Sequence, residues 1–271
     1  MLIVPKVDEK SYPISDDLKL QITDKLEIQL LGYDIGLSLK NAKRVISQFG
    51  GLKTLILHMS EELVCFDFVA SHEDLRNSFI CMLLELKELA DEKDIDIYLL
   101  THLMSPRRFY KVSQGRFWLE FYLTFIEDSM VNLLLENSLP DVRFSQPYDS
   151  AIMELLEVNN PKLFMCLDIC HWYASCNMLQ KDFEFPKELV PRIRSVHFSA
   201  TLNNDGWLHK KETHGRVHPN IDSCNRDLEY LKELGVDFNS TFIVAEINED
   251  DYTLRPDLIT ELNYLTALNN M

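Results

Sequence analysis

The chain has 271 residues, of which 46% are hydrophobic, so it can bury a sizeable core. Its 43 acidic and 27 basic residues give a formal net charge of −16, which disfavours attraction to the phosphates of nucleic acid. No segment approaches the roughly 20 apolar residues that span a bilayer, and the start of the sequence is unlike a secretory signal peptide, so a membrane-spanning protein is not expected.

Short apolar runs alternate with amphipathic stretches along the chain, and several runs are continuous in Val, Ile and Leu, as in strands covered on both faces. Strands are predicted at residues 2–7, 26–33, 52–60, 95–103, 131–138, 163–171, 193–200 and 241–248. Helices are predicted at 14–26, 38–50, 71–93, 113–129, 147–160, 226–237 and 256–270, and the segment 172–192 is less regular.

This alternation predicts an α/β fold, and specifically a (β/α)8 TIM barrel, because about 250 residues is its typical length. A doubly wound open sheet is the alternative, although no early strand is followed by the glycine-rich turn of a dinucleotide-binding unit. With only 8 Gly and 10 Pro and no linker-like tract, residues 1–271 are expected to form a single domain.

The six cysteines include no CxxC pair, and the spacing of those at 166, 170 and 176 fits no common zinc pattern. They are typical of reduced thiols in a cytoplasmic protein.

The predicted strand ends carry the residue types from which metal sites are built. TIM-barrel active sites lie at the carboxyl ends of the strands, where this chain has His58, His102, Glu136, Asp168, His171, His197 and Glu246. A carboxylate after an apolar strand is costly to bury unless it is paired or binds a cation. Two Glu, one Asp and one His suit Mn²⁺, Mg²⁺ or Co²⁺, whereas adding His58 and His102 favours Zn²⁺ and a cluster of ions. For each residue taken singly, an ordinary hydrogen-bonding role is the alternative.

Five segments together resemble the xylose isomerase-like TIM barrels over nearly the whole chain. They are LEIQL at 26–30, LLLENS at 133–138, CLDICH at 166–171, SVHFSA at 195–200 and VAEIN at 244–248. This superfamily includes sugar isomerases and epimerases and the endonuclease IV-like AP endonucleases (family 2). The resemblance implies that Glu136, Asp168, His197 and Glu246 hold a metal ion and that His171 is the histidine of a D-x-x-H motif.

The endonuclease branch of that superfamily has additional histidines, and this chain matches its pattern only in part. His58 and His102 match the histidines of the third and fourth strands. The branch also has Asp-x-His followed by Ile-Gly after strand seven, where RVHPNID supplies His218 but has Arg216 and Asp222 in place of the Asp and the Gly. His58, His102, His171 and His218 are therefore candidates for a second metal or for substrate.

The first functional hypothesis is an enzyme, a divalent-metal-dependent isomerase or epimerase (or a related lyase) of carbohydrate metabolism. It would act on a small sugar or polyhydroxy carbonyl compound through an enediolate. Glu136 and Glu246 would transfer protons, while His171 and Arg216 would bind substrate. The expected cofactor is Mn²⁺, Co²⁺ or Mg²⁺, with Zn²⁺ for a multinuclear site.

Two alternatives stay open at this point. One is an endonuclease IV-like metal-dependent phosphodiesterase, and the other is a non-catalytic metal- or sugar-binding barrel. A cytoplasmic protein with a small-molecule substrate is expected, and association into a homo-oligomer is a further hypothesis.

Overall fold

The computed structural model describes residues 2–4, 6–10, 13, 24–30, 35–59, 73–102, 112–138, 150–178, 184–198 and 221–245. Its strands are β1 (Leu2–Val4), β2 (Lys6–Asp8), β3 (Lys25–Gln29), β4 (Thr54–His58), β5 (Asp96–His102), β6 (Val131–Glu136), β7 (Leu163–Asp168), β8 (Ile193–Phe198) and β9 (Phe242–Ala245). All neighbouring strands are parallel, in the order β1-β9-β8-β7-β6-β5-β4-β3-β2.

The first strand of the barrel is divided between β1 and β2. β1 pairs with β9 and β2 pairs with β3, so the two short strands lie at the two ends of the sheet order. Since β1 and β2 are separated by a single residue, this pairing brings the sheet nearly to closure. The residue between them is Pro5, which has no N–H to donate to a continuous strand ladder.

Helices follow most of the strands and cover the outside of the barrel. They are α1 (Ile35–Ile46), α2 (Glu73–Lys93), α3 (Val112–Phe125), α4 (Ser150–Glu157), α5 (Ile169–Met178), a 3₁₀ helix (Lys187–Arg192) and α6 (Ile221–Leu234). In α2, residues 79, 82, 83, 86, 89 and 90 are buried apolar side chains, the spacing of a helix that packs one face on a core. Among the described helices, none has the length and apolar character needed to cross a membrane.

The predicted fold class is confirmed, because the eightfold alternation folds into a parallel barrel rather than an open sheet. Two local predictions were wrong. The strand predicted at 163–171 ends at Asp168, where α5 begins at once, and the segment 172–192 contains the rest of α5 and the 3₁₀ helix. The helix predicted at 256–270 lies outside the described residues, and so does the helix predicted at 14–26 as far as residue 23. Asp24 is described and is not helical, and Lys25 and Leu26 belong to β3.

Successive side chains of a strand point to opposite faces of the sheet, so the barrel has two separate apolar layers. One face of each strand packs against the helices in the large outer core. The other face fills the barrel interior with a smaller cluster, made of Val4, Ile56, Leu100, Leu134, Cys166, Phe242 and Val244, with Tyr98 and Phe164 packed against it. This interior cluster forms an apolar floor beneath the carboxyl ends of the strands.

The floor predicts a large stability effect at Leu134, which is fully buried within it. Leu134→Ala should lower the free energy of unfolding by about 2–5 kcal/mol, because it removes buried methyl groups and leaves a cavity. Leu37→Ala is the matched control, since Leu37 is 55% exposed on α1. Urea unfolding measures both, and equal losses would contradict the assignment of Leu134 to a packed interior.

Candidate metal centre

The described residues from the predicted site lie together at the mouth of the barrel. His58, His102, Glu136 and Asp168 are the last residues of β4, β5, β6 and β7, and His197 is the next-to-last residue of β8. His102 is in register with Glu136, and Asp168 is in register with His197. All five side chains are buried.

Glu136 lies at the centre of this group, and its two carboxylate oxygens face different histidines. Oε2 lies 3.4 Å from His58 Nε2 and 3.6 Å from His102 Nε2. Oε1 lies 3.3 Å from His197 Nδ1 and 3.9 Å from His171 Nδ1. Glu136 Oε2 is buried and has no hydrogen-bond partner among the described residues, as expected of an oxygen placed to bind a cation.

Asp168 joins the end of β7 to the start of α5. Its Oδ1 accepts a hydrogen bond of 2.7 Å from the backbone N–H of His171, which is the capping contact of a helix N-terminus. Its Oδ2 lies 3.4 Å from His171 Nδ1. The carboxylate at the end of this apolar strand therefore both begins a helix and faces the site.

Asn137, directly after Glu136, fixes the position of Asp168 and of the His171 ring. Its side chain accepts a hydrogen bond from the Asp168 N–H at 2.8 Å and donates one to the Asp168 carbonyl at 2.9 Å. Its own carbonyl oxygen lies 2.9 Å from His171 Nδ1. Because a carbonyl can only accept, Nδ1 of His171 carries the proton, and the lone pair of the neutral ring is on Nε2.

Two further charged residues belong to the site, although sequence reasoning assigned them no role. Glu27 lies in the middle of β3, fully buried, with Oε1 at 3.1 Å from His58 Nδ1 and Oε2 at 3.3 Å from His197 Nε2. Lys6 in β2 is in register with Glu27, and its Nζ lies 3.4 Å from Glu27 Oε1 and 3.2 Å from His58 Nδ1. The sequence does contain a signal for Glu27, because this residue stands between Leu26 and Ile28 in an apolar strand, where a buried carboxylate must be paired.

The electrostatics of the site favour ionised carboxylates. Burial alone raises the pKa of Glu27, but the nearby His197 and Lys6 outweigh it and hold the pKa well below its ordinary value. The same opposition acts on Glu136, where His197 and His102 lower the pKa against the effect of burial. Below them, burial raises the pKa of the Cys166 thiol to about 12, so this cysteine remains a neutral thiol in the floor.

The donor set fits a divalent cation. Potential ligand atoms lie within 4.8 Å of one another in four overlapping groups: Glu27/His58/His197, His58/His102/Glu136, Glu136/Cys166/His197 and Glu136/Asp168/His171. Within the described part of the chain, the carboxylates of Glu27, Glu136 and Asp168 outnumber the ammonium of Lys6, leaving negative charge that a cation would neutralise. Imidazole and carboxylate are the common protein ligands of Zn²⁺, Mn²⁺ and Co²⁺.

Three predicted site residues, Arg216, His218 and Glu246, lie outside the described residues. Residues 60–72, which follow β4, also lie outside the described residues. The structure therefore brings six of the predicted residues together and describes nothing for these three.

Comparison by sequence links part of the chain to a nuclease. No family model matches the chain. A stretch of 99 residues is 34% identical to the probable endonuclease 4 of Metamycoplasma arthritidis (strain 158L3-1). This match spans 33% of the present chain and 33% of that protein.

Comparison by structure covers nearly the whole chain. A D-tagatose 3-epimerase-like protein superposes with a TM-score of 0.61 at 19% identity, covering 98% of this chain and 97% of that one. A xylose isomerase domain protein of Salmonella typhimurium LT2 gives 0.63 at 12%, with 98% and 97% covered. A xylose isomerase-like TIM barrel protein of Mycobacterium smegmatis, in complex with magnesium, gives 0.51 at 11%, with 93% and 85% covered. The chain has the fold of the xylose isomerase-like TIM barrels, as the sequence resemblance implied.

The depressed carboxylate pKa values predict a loss of stability in acid. Glu27 and Glu136 have folded-state pKa values below their ordinary 4.5, so the folded chain binds fewer protons than the unfolded chain. Their contribution to the free energy of unfolding is complete above pH 4.5 and is lost as the pH falls below it, by up to about 1.4 kcal/mol per pH unit for each group. Urea unfolding of the metal-free protein across this range should be less pH-dependent in Glu27→Gln. Identical pH dependence in the two proteins would contradict the assignment for Glu27.

Proposed function

We propose that this protein is a divalent-metal-dependent isomerase or epimerase, or a related lyase, acting on a small sugar or polyhydroxy carbonyl compound. The observation that carries the proposal is the convergence of Glu136, Asp168 and His197 at the barrel mouth, above an apolar floor. Oxygen-rich sets of this kind suit Mn²⁺, Co²⁺ or Mg²⁺. The expected cation is held by these three residues together with Glu246, whose part is proposed from sequence alone.

The chemistry of such a reaction divides among the residues of the site. A bound divalent cation supplies Lewis acidity, polarising the substrate carbonyl and stabilising negative charge on its oxygen. Glu136, a buried carboxylate at the barrel mouth, is proposed to accept a proton from a carbon atom adjacent to that carbonyl. Glu246 is proposed as the opposing carboxylate that returns the proton on the other side.

His171 is suited to binding a substrate hydroxyl or carbonyl. Its ring is oriented by the carbonyl oxygen of Asn137, which accepts a hydrogen bond from Nδ1. Nε2 can then accept a hydrogen bond in the neutral ring or donate one in the charged ring. Arg216 is proposed to bind substrate from the segment after β8. The apolar floor excludes water from below, which strengthens electrostatic interactions at the mouth.

A small uncharged substrate agrees with the electrostatics better than a polynucleotide does. The formal charge of −16 opposes the approach of a phosphate backbone. A cytoplasmic location is proposed from the cysteine pattern, and a homo-oligomer is proposed from the family resemblance.

A second candidate is a phosphodiesterase with two or more zinc ions, including one that acts on abasic DNA. It is favoured by the way His58 and His102 both face Oε2 of Glu136, while His197 faces Oε1. A carboxylate with ligands on both sides can bridge two cations, and paired cations suit phosphoester hydrolysis. The partial match to an endonuclease 4 supports the same candidate. Arg216, which replaces an Asp of the endonuclease pattern, opposes a complete three-zinc site.

Glu136→Gln tests the primary proposal. It should weaken Mn²⁺ or Co²⁺ binding by at least about 10-fold and abolish turnover of a ketose and aldose panel, because a central ligand and proton acceptor is lost. Glu154→Gln is the matched control: Glu154 is also buried but pairs with Arg116 on the outer helix α4, so binding and turnover should persist. Isothermal titration and chromatography of products measure the two effects. Metal binding by the native protein with no turnover of any sugar would instead support a non-catalytic barrel.

Zinc content separates the two candidates. If the second candidate is correct, the native protein should carry two or more Zn²⁺ per chain and nick abasic duplex DNA at low salt. The double variant His58→Ala/His102→Ala should then lose about one Zn²⁺ per chain while keeping the ion on the Asp168 side. Elemental mass spectrometry of protein purified without chelators measures the stoichiometry. One ion per chain, unchanged in the double variant, would reject this candidate.

A further inference from the structure

The carboxylate of Glu27 lies between two histidines of the site. Each of its oxygens lies beside one histidine, His58 Nδ1 at 3.1 Å and His197 Nε2 at 3.3 Å. The opposite nitrogens of those rings, His58 Nε2 and His197 Nδ1, face the two oxygens of Glu136 at 3.4 Å and 3.3 Å. Two carboxylates are thus connected by two imidazoles in a closed ring of four side chains.

A histidine that binds a metal through one ring nitrogen usually donates the N–H of the other to a carboxylate, which fixes the tautomer and the ring orientation. We propose that Glu27 is a positioning residue of this kind, shared by His58 and His197, and that Lys6 holds its carboxylate in place. This inference rests on the proposed metal site, and nothing in the sequence resemblance assigns it.

The geometry specifies which nitrogen of each ring faces the metal. His58 Nδ1 lies 3.1 Å from Glu27 Oε1, which can only accept, and 3.2 Å from Lys6 Nζ, which can only donate. When Nδ1 donates to Glu27, the lone pair of the ring is on Nε2 and points toward Glu136 Oε2. If His197 donates from Nε2 to Glu27, its lone pair is on Nδ1 and points toward Glu136 Oε1. One carboxylate therefore directs two lone pairs to the two sides of Glu136, through opposite nitrogens of the two rings.

Glu27 is better placed to position the ligands than to be one. It lies two residues before the end of β3, in register with Ile56 of the apolar floor. A fully buried carboxylate at this depth needs a compensating cation, and the ammonium of Lys6 lies 3.4 Å from Oε1.

A purely structural role for the ion pair of Lys6 and Glu27 would lead to a different experimental result. If Lys6 and Glu27 only neutralise each other, removing both charges together should leave the metal site intact, because no buried charge remains unpaired. If Glu27 orients the histidines, the double variant Lys6→Met/Glu27→Gln should bind metal as poorly as Glu27→Gln.

The experiment compares the Co²⁺ and Zn²⁺ affinities of four proteins by competition with a chelator: the native chain, Glu27→Gln, Lys6→Met/Glu27→Gln and the control Glu154→Gln. We expect both Glu27 variants to bind about 10- to 100-fold more weakly than the native chain. The control should keep native affinity even where its melting temperature falls, since Glu154 pairs with Arg116 outside the barrel. Native affinity in the double variant, or in both Glu27 variants, would overturn the inference.

A second measurement needs no variant and so does not depend on whether the substituted proteins fold. Long-range ¹H–¹⁵N spectra of the zinc-loaded native protein report which ring nitrogen of each histidine carries a proton. We expect protons on His58 Nδ1 and His197 Nε2, and zinc on the other nitrogen of either ring that binds it. Zinc on His197 Nε2 would overturn the inference while leaving the proposed function standing. A native chain that binds neither metal would overturn both.

Discussion

The carboxylate of Glu136 is buried among four histidines, all with a ring nitrogen within 3.9 Å of one of its oxygens. An ionised carboxylate in such a place is stable only if its surroundings replace the water that it has lost. The histidines replace part of it, and a cation would replace the rest. Much of the barrel mouth can be understood as the consequence of this single buried group.

The parallel barrel makes the arrangement attainable with residues that are far apart in sequence. Glu27 and His197 are 170 positions apart, yet they lie within 3.3 Å because β3 and β8 place their interior faces around one axis. The register of the strands aligns His102 with Glu136 and Asp168 with His197, so these polar side chains lie at one level of the barrel. The level below is apolar, and it separates the buried charges from the far end of the barrel.

The sequence predicts this level well because its residues stand at strand ends, where an apolar run gives way to a polar residue. His58, His102, Glu136, Asp168 and His197 all follow that rule. The rule fails for Glu27, which lies inside β3, and for Lys6, which begins β2. Only the register of β2 and β3 shows that these two residues are neighbours. The sequence also misplaces the end of β7, because the apolar character of Ile169 and Cys170 extends the strand pattern past Asp168 into a helix. Asp168 supplies the N-cap there, and a capping carboxylate cannot be told from a metal ligand by sequence alone.

The most direct test of the central role of Glu136 is a crystal structure of the manganese-loaded protein with anomalous data that locate the metal. We expect a peak about 2.0–2.3 Å from an oxygen of Glu136 and from Nδ1 of His197, with Glu27 on the far side of that ring and outside the ligand sphere. A second peak between His58, His102 and Oε2 of Glu136 would identify the two-cation site. A peak coordinated by Glu27 and remote from Glu136, or none at the barrel mouth, would contradict the central role of Glu136 in binding the metal.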